Sequence, residues 1–298
     1  MNEVYRSGFV SIIGSPNVGK STLLNRMVGQ KVSIVSERAQ TTRNRVMGVL
    51  TRPGYQVVFL DTPGVTAPKN RLGEYMLKVA YDALSEVEAV LFVVDAERGI
   101  GPKDEALMER LKNARAPVVA AINKIDRASL ADVEAAGEKL RAAGFFADVL
   151  NISAVEGRGL EALEQRLFSF LEQGPQYFPD DMVTDQPERI LVSELIRERA
   201  LRLLKEEVPH GLGVSVDKMA KREDMALMDI WATIYCEREG HKGIIIGKGG
   251  SMLKRIGSEA RKEVELMLGE QVNLQLWVKV REDWRNSASA MREFGYEP

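Results

Sequence analysis

Residues 8–28 read GFVSIIGSPNVGKSTLLNRMV, and the order of pieces within that stretch decides the fold of the first half of the chain. Residues 8–13 form a short apolar run rich in branched side chains, the signature of a strand buried on both faces. Residues 14–21, GSPNVGKS, match G-x-x-x-x-G-K-S/T, and a helical stretch follows at once. A glycine-rich turn between strand and helix folds its backbone N–H groups into a nest for phosphate, and the helix adds its positive end. Gly14, Asn17, Val18, Gly19, Lys20, Ser21 and Thr22 are therefore candidate nucleotide contacts. Lys20 bridges phosphate oxygens in this reading, and the Ser21 hydroxyl is a ligand for Mg²⁺.

Working outward, residues 57–61, 90–95, 117–122 and 148–152 are further short apolar runs that alternate with helical stretches. Residues 45–50 read as one more strand, joined to 57–61 by the turn-rich RPGY, which predicts one antiparallel pair on an otherwise parallel sheet. This is a doubly wound α/β domain. Asp61 ends its strand and opens DTPG, residues 61–64, aiming a carboxylate at the Mg²⁺ shell while Gly64 brings a backbone N–H towards a γ-phosphate.

The base is read from residues 123–126, NKID, which follow a buried strand. The Asp126 carboxylate can accept from both N1–H and the 2-amino group of guanine, donors that adenine does not offer, and a mismatched base would leave buried polar groups unpaired. Asn123 fixes the loop and approaches the base, the stem of Lys124 lies along the ring, and Ser153–Ala154 place a backbone N–H at the guanine oxygen. GTP or GDP with Mg²⁺ is the expected ligand.

The bulk numbers set the frame. A length of 298 residues predicts two domains, and 45% hydrophobic content suits packed cores. There is no apolar run of the roughly 20 residues that span a bilayer and no secretory pattern at the start, so a soluble cytoplasmic protein is expected. The single cysteine, Cys236, and two histidines exclude an intramolecular disulfide and argue against structural zinc. A net charge of −2 means that any nucleic acid must be held by a local basic patch.

Such a patch lies beyond residues 174–188, GPQYFPDDMVTDQPE, whose prolines and acidic residues without periodicity mark a linker. The expected organisation is 1–173, a linker at 174–188, and a smaller α+β domain at 189–298. In that domain the pattern predicts a helix at 190–207, strands at 213–220 and 228–237, a short apolar run at 243–246, a helix at 251–268, a strand at 272–280 and a helix at 283–294. Residues 247–250 read GKGG, a G-x-x-G loop ahead of a helix, and residues 240–262 hold six Lys or Arg against one acidic residue. Ile246, Gly247, Lys248, Gly249, Gly250, Lys254 and Arg255 are the candidate RNA contacts, because close approach to a single-stranded backbone needs glycine and local positive charge. Trp284 and Phe294 are read as helix packing.

Together these motifs resemble the Era family, GTPases with a C-terminal KH domain of type II. The likeness runs along nearly the whole chain, from the switch-like stretch 31–46, KVSIVSERAQTTRNRV, to the closing LQLWVKVREDWRNSASAMREFGY. It implies a switch threonine that binds Mg²⁺ and acts in catalysis beside Lys20 and Gly64; Thr42 fits, with Thr41 as the alternative. Ser15 stands where such proteins often carry arginine. Val65 stands where Ras-like proteins place a glutamine that orients the attacking water, which predicts slow hydrolysis. Asn17 matches an asparagine that helps hold K⁺ against the phosphates. The resemblance also implies the partner, the 3′ end of small-subunit ribosomal RNA, with a role in assembly of the small subunit. It further implies a monomer in the cytoplasm, with weak peripheral association at the cytoplasmic membrane face.

Overall fold

A computed structural model describes residues 5–38, 40–223 and 225–296; Ala39, inside the switch-like stretch, lies outside them. The chain clusters into two compact units. One runs to Asp185; two of its segments, Ile34–Thr41 and Pro68–Tyr75, group instead with Gln186–Pro298.

The first unit is built on β1 (Arg6–Ile13), β2 (Val46–Arg52), β3 (Tyr55–Asp61), β4 (Ala89–Asp95), β5 (Val118–Asn123), β6 (Asp148–Asn151) and the two-residue β7 (Glu172–Gln173). Their order is β2-β3-β1-β4-β5-β6, with β7 pairing β1. β2 and β7 run antiparallel to their partners and the other pairs are parallel. The helices are α1 (Lys20–Val28), α2 (Arg71–Asp82), α3 (Pro102–Leu111), α4 (Leu130–Ala142) and α5 (Leu160–Phe168).

The continuous apolar runs are explained by burial on both faces. In β4, Leu91 and Val93 pack with Leu23 and Leu24 of α1 and Leu163 of α5. The alternate residues Val90, Phe92 and Val94 pack with Leu107 and Leu111 of α3 and Leu140 of α4. A period of two thus feeds two cores, and no polar face remains to signal the alternation. α4 starts where Ser129 and Asp132 form a capping box, with Ser129 Oγ accepting from the Asp132 N–H.

Residues 174–185 of the expected linker group with this unit. The Tyr177 and Phe178 N–H groups donate to Gln56 Oε1 at 2.9 and 3.0 Å, Val49 N–H donates to Val183 O at 2.9 Å, and Thr184 Oγ1 donates to Met47 O at 2.7 Å.

The second unit carries β8 (Gly213–Lys221), β9 (Leu227–Cys236) and β10 (Gln271–Val280) in the order β10-β9-β8, with β9 and β10 parallel and β8 antiparallel to β9. Its helices are α6 (Glu188–Leu203), α7 (Glu239–Ile246), α8 (Ser251–Leu268) and α9 (Ala288–Glu293). Ile230, Ala232 and Ile234 of β9 point to one face, where they meet Val192 and Ile196 of α6 and Ile256, Ala260 and Val264 of α8.

Two readings are sharpened. The apolar run at 243–246 is the end of α7, with Ile245 alone in that helix fully buried. The predicted terminal helix is a 3-10 turn, Trp284–Asn286, followed by α9, because Ser287 breaks it and caps α9 by accepting from the Ala290 N–H. Trp284 is fully buried and meets Phe294 edge-on at 4.9 Å, so both are packing residues.

Candidate functional site

The carboxyl ends of β1, β3 and β5 bring the motifs of the first unit together, the usual place for a ligand on a parallel sheet. Gly19 caps α1 in a left-handed conformation, φ 100°, with no side-chain cap, and α1 has no acidic residue in its first turn. A Cβ on Gly19 would stand 2.3 Å from Asn123 Nδ2, so the loop needs glycine there for space as well as for φ. Asn17 also lies at positive φ, 65°.

Lys20 is buried, and its Nζ donates to Gly14 O at 3.0 Å and Ser15 O at 3.1 Å, which folds the side chain back over its own loop. Burial pushes its pKa down to about 8, against the opposing pull of Asp61 and Asp104. Ser21 Oγ lies 2.7 Å from Asp61 Oδ2 and 2.9 Å from Thr42 Oγ1. Of the two candidate threonines, Thr42 stands in this cluster, whereas Thr41 Oγ1 donates to Arg38 O within its own segment. Asp61 is fully buried, and its Oδ1 has no hydrogen-bond partner among the described residues. Burial raises its pKa above the ordinary carboxylate value, although Lys20 and the hydroxyls of Ser21, Ser33 and Thr42 pull it back.

An unpaired buried carboxylate oxygen beside two hydroxyl oxygens is the donor set of a hard divalent cation with few protein ligands, and it fits Mg²⁺. Gly64 backs onto the loop closely enough that a Cβ there would lie 2.8 Å from Pro16 Cα.

The second half of the pocket is organised by Asn123. Its Nδ2 donates to Val18 O at 2.8 Å, and its Oδ1 accepts from the Ala154 N–H at 3.0 Å, so one buried amide ties the phosphate loop to the loop after β6. The Ala154 N–H that the sequence assigns to the guanine oxygen is thus engaged with Asn123. Asp126 Oδ1 accepts from Ser153 Oγ at 2.5 Å, and Lys124 Nζ pairs with the buried Asp95 at 2.6 Å. Thr22, in the first turn of α1, completes the set.

Four supporting residues escape the motif reading. Ser33 Oγ donates to Asp61 Oδ2 at 3.0 Å. Asn25 holds the Val32 and Ser33 N–H groups at 2.9 Å each. Asp104 accepts from Ser15 Oγ at 2.6 Å, and Asp95 fixes Lys124. Asn25 lies inside α1 and Ser33 in the loop that follows it, whereas Asp95 ends β4 and Asp104 lies on α3.

In the second unit, Gly247 ends α7 at φ 73°, residues 248–250 make one 3-10 turn, and Gly250 caps α8 at φ 79° without a side-chain cap. Lys248, Gly249 and Lys254 are exposed, and neither lysine makes an ion pair among the described residues. Arg255 is exposed but pairs with Glu259 at 3.0 Å. Ile246 is half-buried.

Comparison with known proteins places both halves. Residues 9–124 match the family described as 50S ribosome-binding GTPase, and residues 207–285 match the KH domain. The chain is 50% identical to GTPase Era of Alkaliphilus metalliredigens over 98% of its own length and 99% of that protein. It is also 50% identical to GTPase Era of Clostridioides difficile, over 98% and 99% of the two chains. Among solved structures, Era in complex with MgGDPNP and nucleotides 1506–1542 of 16S ribosomal RNA superposes with a TM-score of 0.93 at 41% identity, covering 99% of this chain and 100% of that one. A single-substitution variant of Aquifex aeolicus Era bound to GDP and aluminium fluoride gives 0.92 at 41% identity, covering 98% and 100%.

Proposed function

We propose a function on one premise: the chain belongs to the Era family of GTPases, with a GTPase domain followed by a KH domain. It binds GTP, hydrolyses it to GDP and phosphate, and uses the nucleotide state to time its binding of the 3′ end of small-subunit ribosomal RNA during assembly of the small subunit. The functional division is 1–173 for nucleotide and 189–298 for RNA, and the protein acts as a monomer in the cytoplasm. The observation that carries the reading is the buried polar cluster of Lys20, Ser21, Thr42 and Asp61, tied through the Asn123 amide to the guanine-reading loops.

Ser21, Thr42 and Asp61 would hold Mg²⁺, which when bound neutralises charge on the β- and γ-phosphates. Lys20 gives up its two carbonyl partners to phosphate oxygens. The first-turn N–H groups of α1 and the Gly64 N–H supply donors aimed at the charge that develops in transfer. Asp126 reads guanine with its carboxylate, whose orientation Ser153 Oγ fixes by donating to Oδ1. Nothing at Val65 can orient a water: its side chain is apolar and packs against the α3–α4 core, so intrinsic turnover is slow. Asn17 supplies a ligand for K⁺ in place of an arginine finger.

Steady-state GTP turnover tests this reading. The wild-type chain should exceed Lys20→Ala by about a hundredfold to a thousandfold; equal rates would reduce the nucleotide to a structural ligand on an RNA-binding scaffold. Turnover should also be faster in potassium than in sodium, and identical rates would remove Asn17 from the cation role.

A further inference from the structure

The sheet of the second unit has one face covered by α6 and α8 and another that carries an arrangement the GTPase and G-x-x-G readings do not use. On β9 the residues alternating with Ile230, Ala232 and Ile234 include Trp231 and Thr233; on β10, Trp277 lies in register with Thr233 and Gln275 with Trp231. Trp277 is 44% exposed, in contrast to the fully buried Trp284. On β8 a bulge between Val216 and Lys218 inserts Asp217, and the Lys218 ammonium comes to lie 5.1 Å from the centre of the Trp231 ring. Asp217, Lys218, Trp231, Thr233, Trp277 and Lys279 line one open cleft of about 520 Å³.

The cleft is net positive, with Lys218 and Lys279 against Asp217. Both Asp217 oxygens are engaged, Oδ1 by Ser215 Oγ at 2.8 Å and Oδ2 by Thr233 Oγ1 at 2.7 Å. Lys218 and Lys279 make no ion pair among the described residues. An exposed indole, Trp277, with the half-buried Trp231 and two unpaired lysines on a sheet, supplies the elements of a single-strand platform, where bases stack on rings and phosphates meet ammonium groups. A second copy fits poorly. An isologous contact would fold two unpaired lysines onto their own equivalents, and the two indoles sit among Gln275, Asp217 and the lysines, not within an apolar field.

We propose that this sheet face is a second RNA-contact surface, on which a single-stranded segment stacks a base on Trp277 and sets phosphates against Lys218 and Lys279. It lies on the side of the sheet opposite α8, so it engages a different stretch from that held at Gly247–Gly250. The proposal rests on the RNA reading above and assigns that RNA a longer path.

The test uses the full chain and two probes: an RNA spanning the 3′ segment of small-subunit ribosomal RNA seen with the solved relative, and a piece of about four nucleotides from it, the length that the G-x-x-G clamp spans. Trp277→Ala should weaken the long RNA by about fivefold to a hundredfold, and leave the short RNA and GTP turnover unchanged. Lys218→Gln with Lys279→Gln should flatten the salt dependence of the long RNA by about 1.4 in log–log slope. Equal weakening of both RNAs, or of neither, overturns the second surface. So does a change of sedimentation in Trp277→Ala with RNA affinity unaltered, which would make the face a contact between copies. If the wild-type chain binds neither RNA, the proposed function falls and this surface with it; a wild-type chain that binds both while Trp277→Ala does too sinks the surface alone.

Discussion

The chain opens two helices on glycine loops, and the two could hardly be treated more differently. Both α1 and α8 begin at a left-handed glycine, Gly19 and Gly250, with no side-chain cap and no acidic residue in the first turn. Each leaves its first N–H groups without a side-chain cap, a helix end suited to an anion. Around Gly19, the fold adds the adjacent buried Lys20 and, from strands and loops far away in sequence, Asp61, Thr42 and Asn123. Around Gly250 it adds only exposed lysines and open space; a Cβ on Gly249 would meet nothing within 4 Å. The first arrangement suits the proposed nucleotide, enclosed and read at its edges. The second suits the proposed RNA, a long polymer lying across an open loop.

The sharpest break in that comparison is Asp126→Asn. An amide can donate to the 2-oxygen of xanthine, so preference should pass from guanine to xanthine nucleotides, with a swing on the order of 10⁴ in relative affinity. Competition binding with GTP and XTP checks it, and an unchanged preference for GTP would refute the base assignment.

On the open loop, Gly249→Asp should cost RNA binding about a hundredfold through a carboxylate set against phosphates, with GTP affinity intact. Gly249 sits at φ 57° and ψ 28°, a left-handed conformation that aspartate tolerates better than most residues, so folding should survive. Full RNA affinity in that variant would show that the loop is not the clamp.

The smallest effect comes from pH and concerns the enclosed site alone. Burial holds Lys20 at about 8, so above that pH the nucleotide-free protein loses its ammonium and GTP affinity should fall, by up to about tenfold per pH unit. Stability moves the other way. An unfolded lysine keeps its proton up to its ordinary value of 10.5, so between 8 and 10.5 the unfolded chain binds more protons and this group's burden on the folded state lifts as pH rises. Titration of a fluorescent guanine nucleotide at pH 7 and 9 reads the first effect; flat affinity would mean that the lysine stays charged.

The enclosed site was largely legible because its chemistry fixes residue types at fixed spacings: a nest, a magnesium carboxylate at a strand end, an amide and a carboxylate three residues apart. Its supports were not. Ser15 and Asp104 meet across 89 positions, and Ser33 reaches Asp61 across 28, separations that no local pattern encodes. The Ala154 N–H has a partner in Asn123 for the same reason. In the second unit, IWATIYC is apolar but for Thr233, a weak guide to which of Trp231 and Ile230 faces the helices; packing against α6 and α8 takes Ile230. The branched run at 243–246 favours a strand by propensity, and tertiary packing against α8 makes it a helix instead.

The stretch 174–185 has a meaning beyond joining two folded parts. β2 is the outermost strand on its side of the sheet, and an outermost strand offers a row of unpaired amides to any passing chain. Val183 and Thr184 occupy that row at Val49 and Met47, so part of this edge is covered by the chain itself. The first compact unit therefore ends at Asp185 and not at the last residue of its sheet.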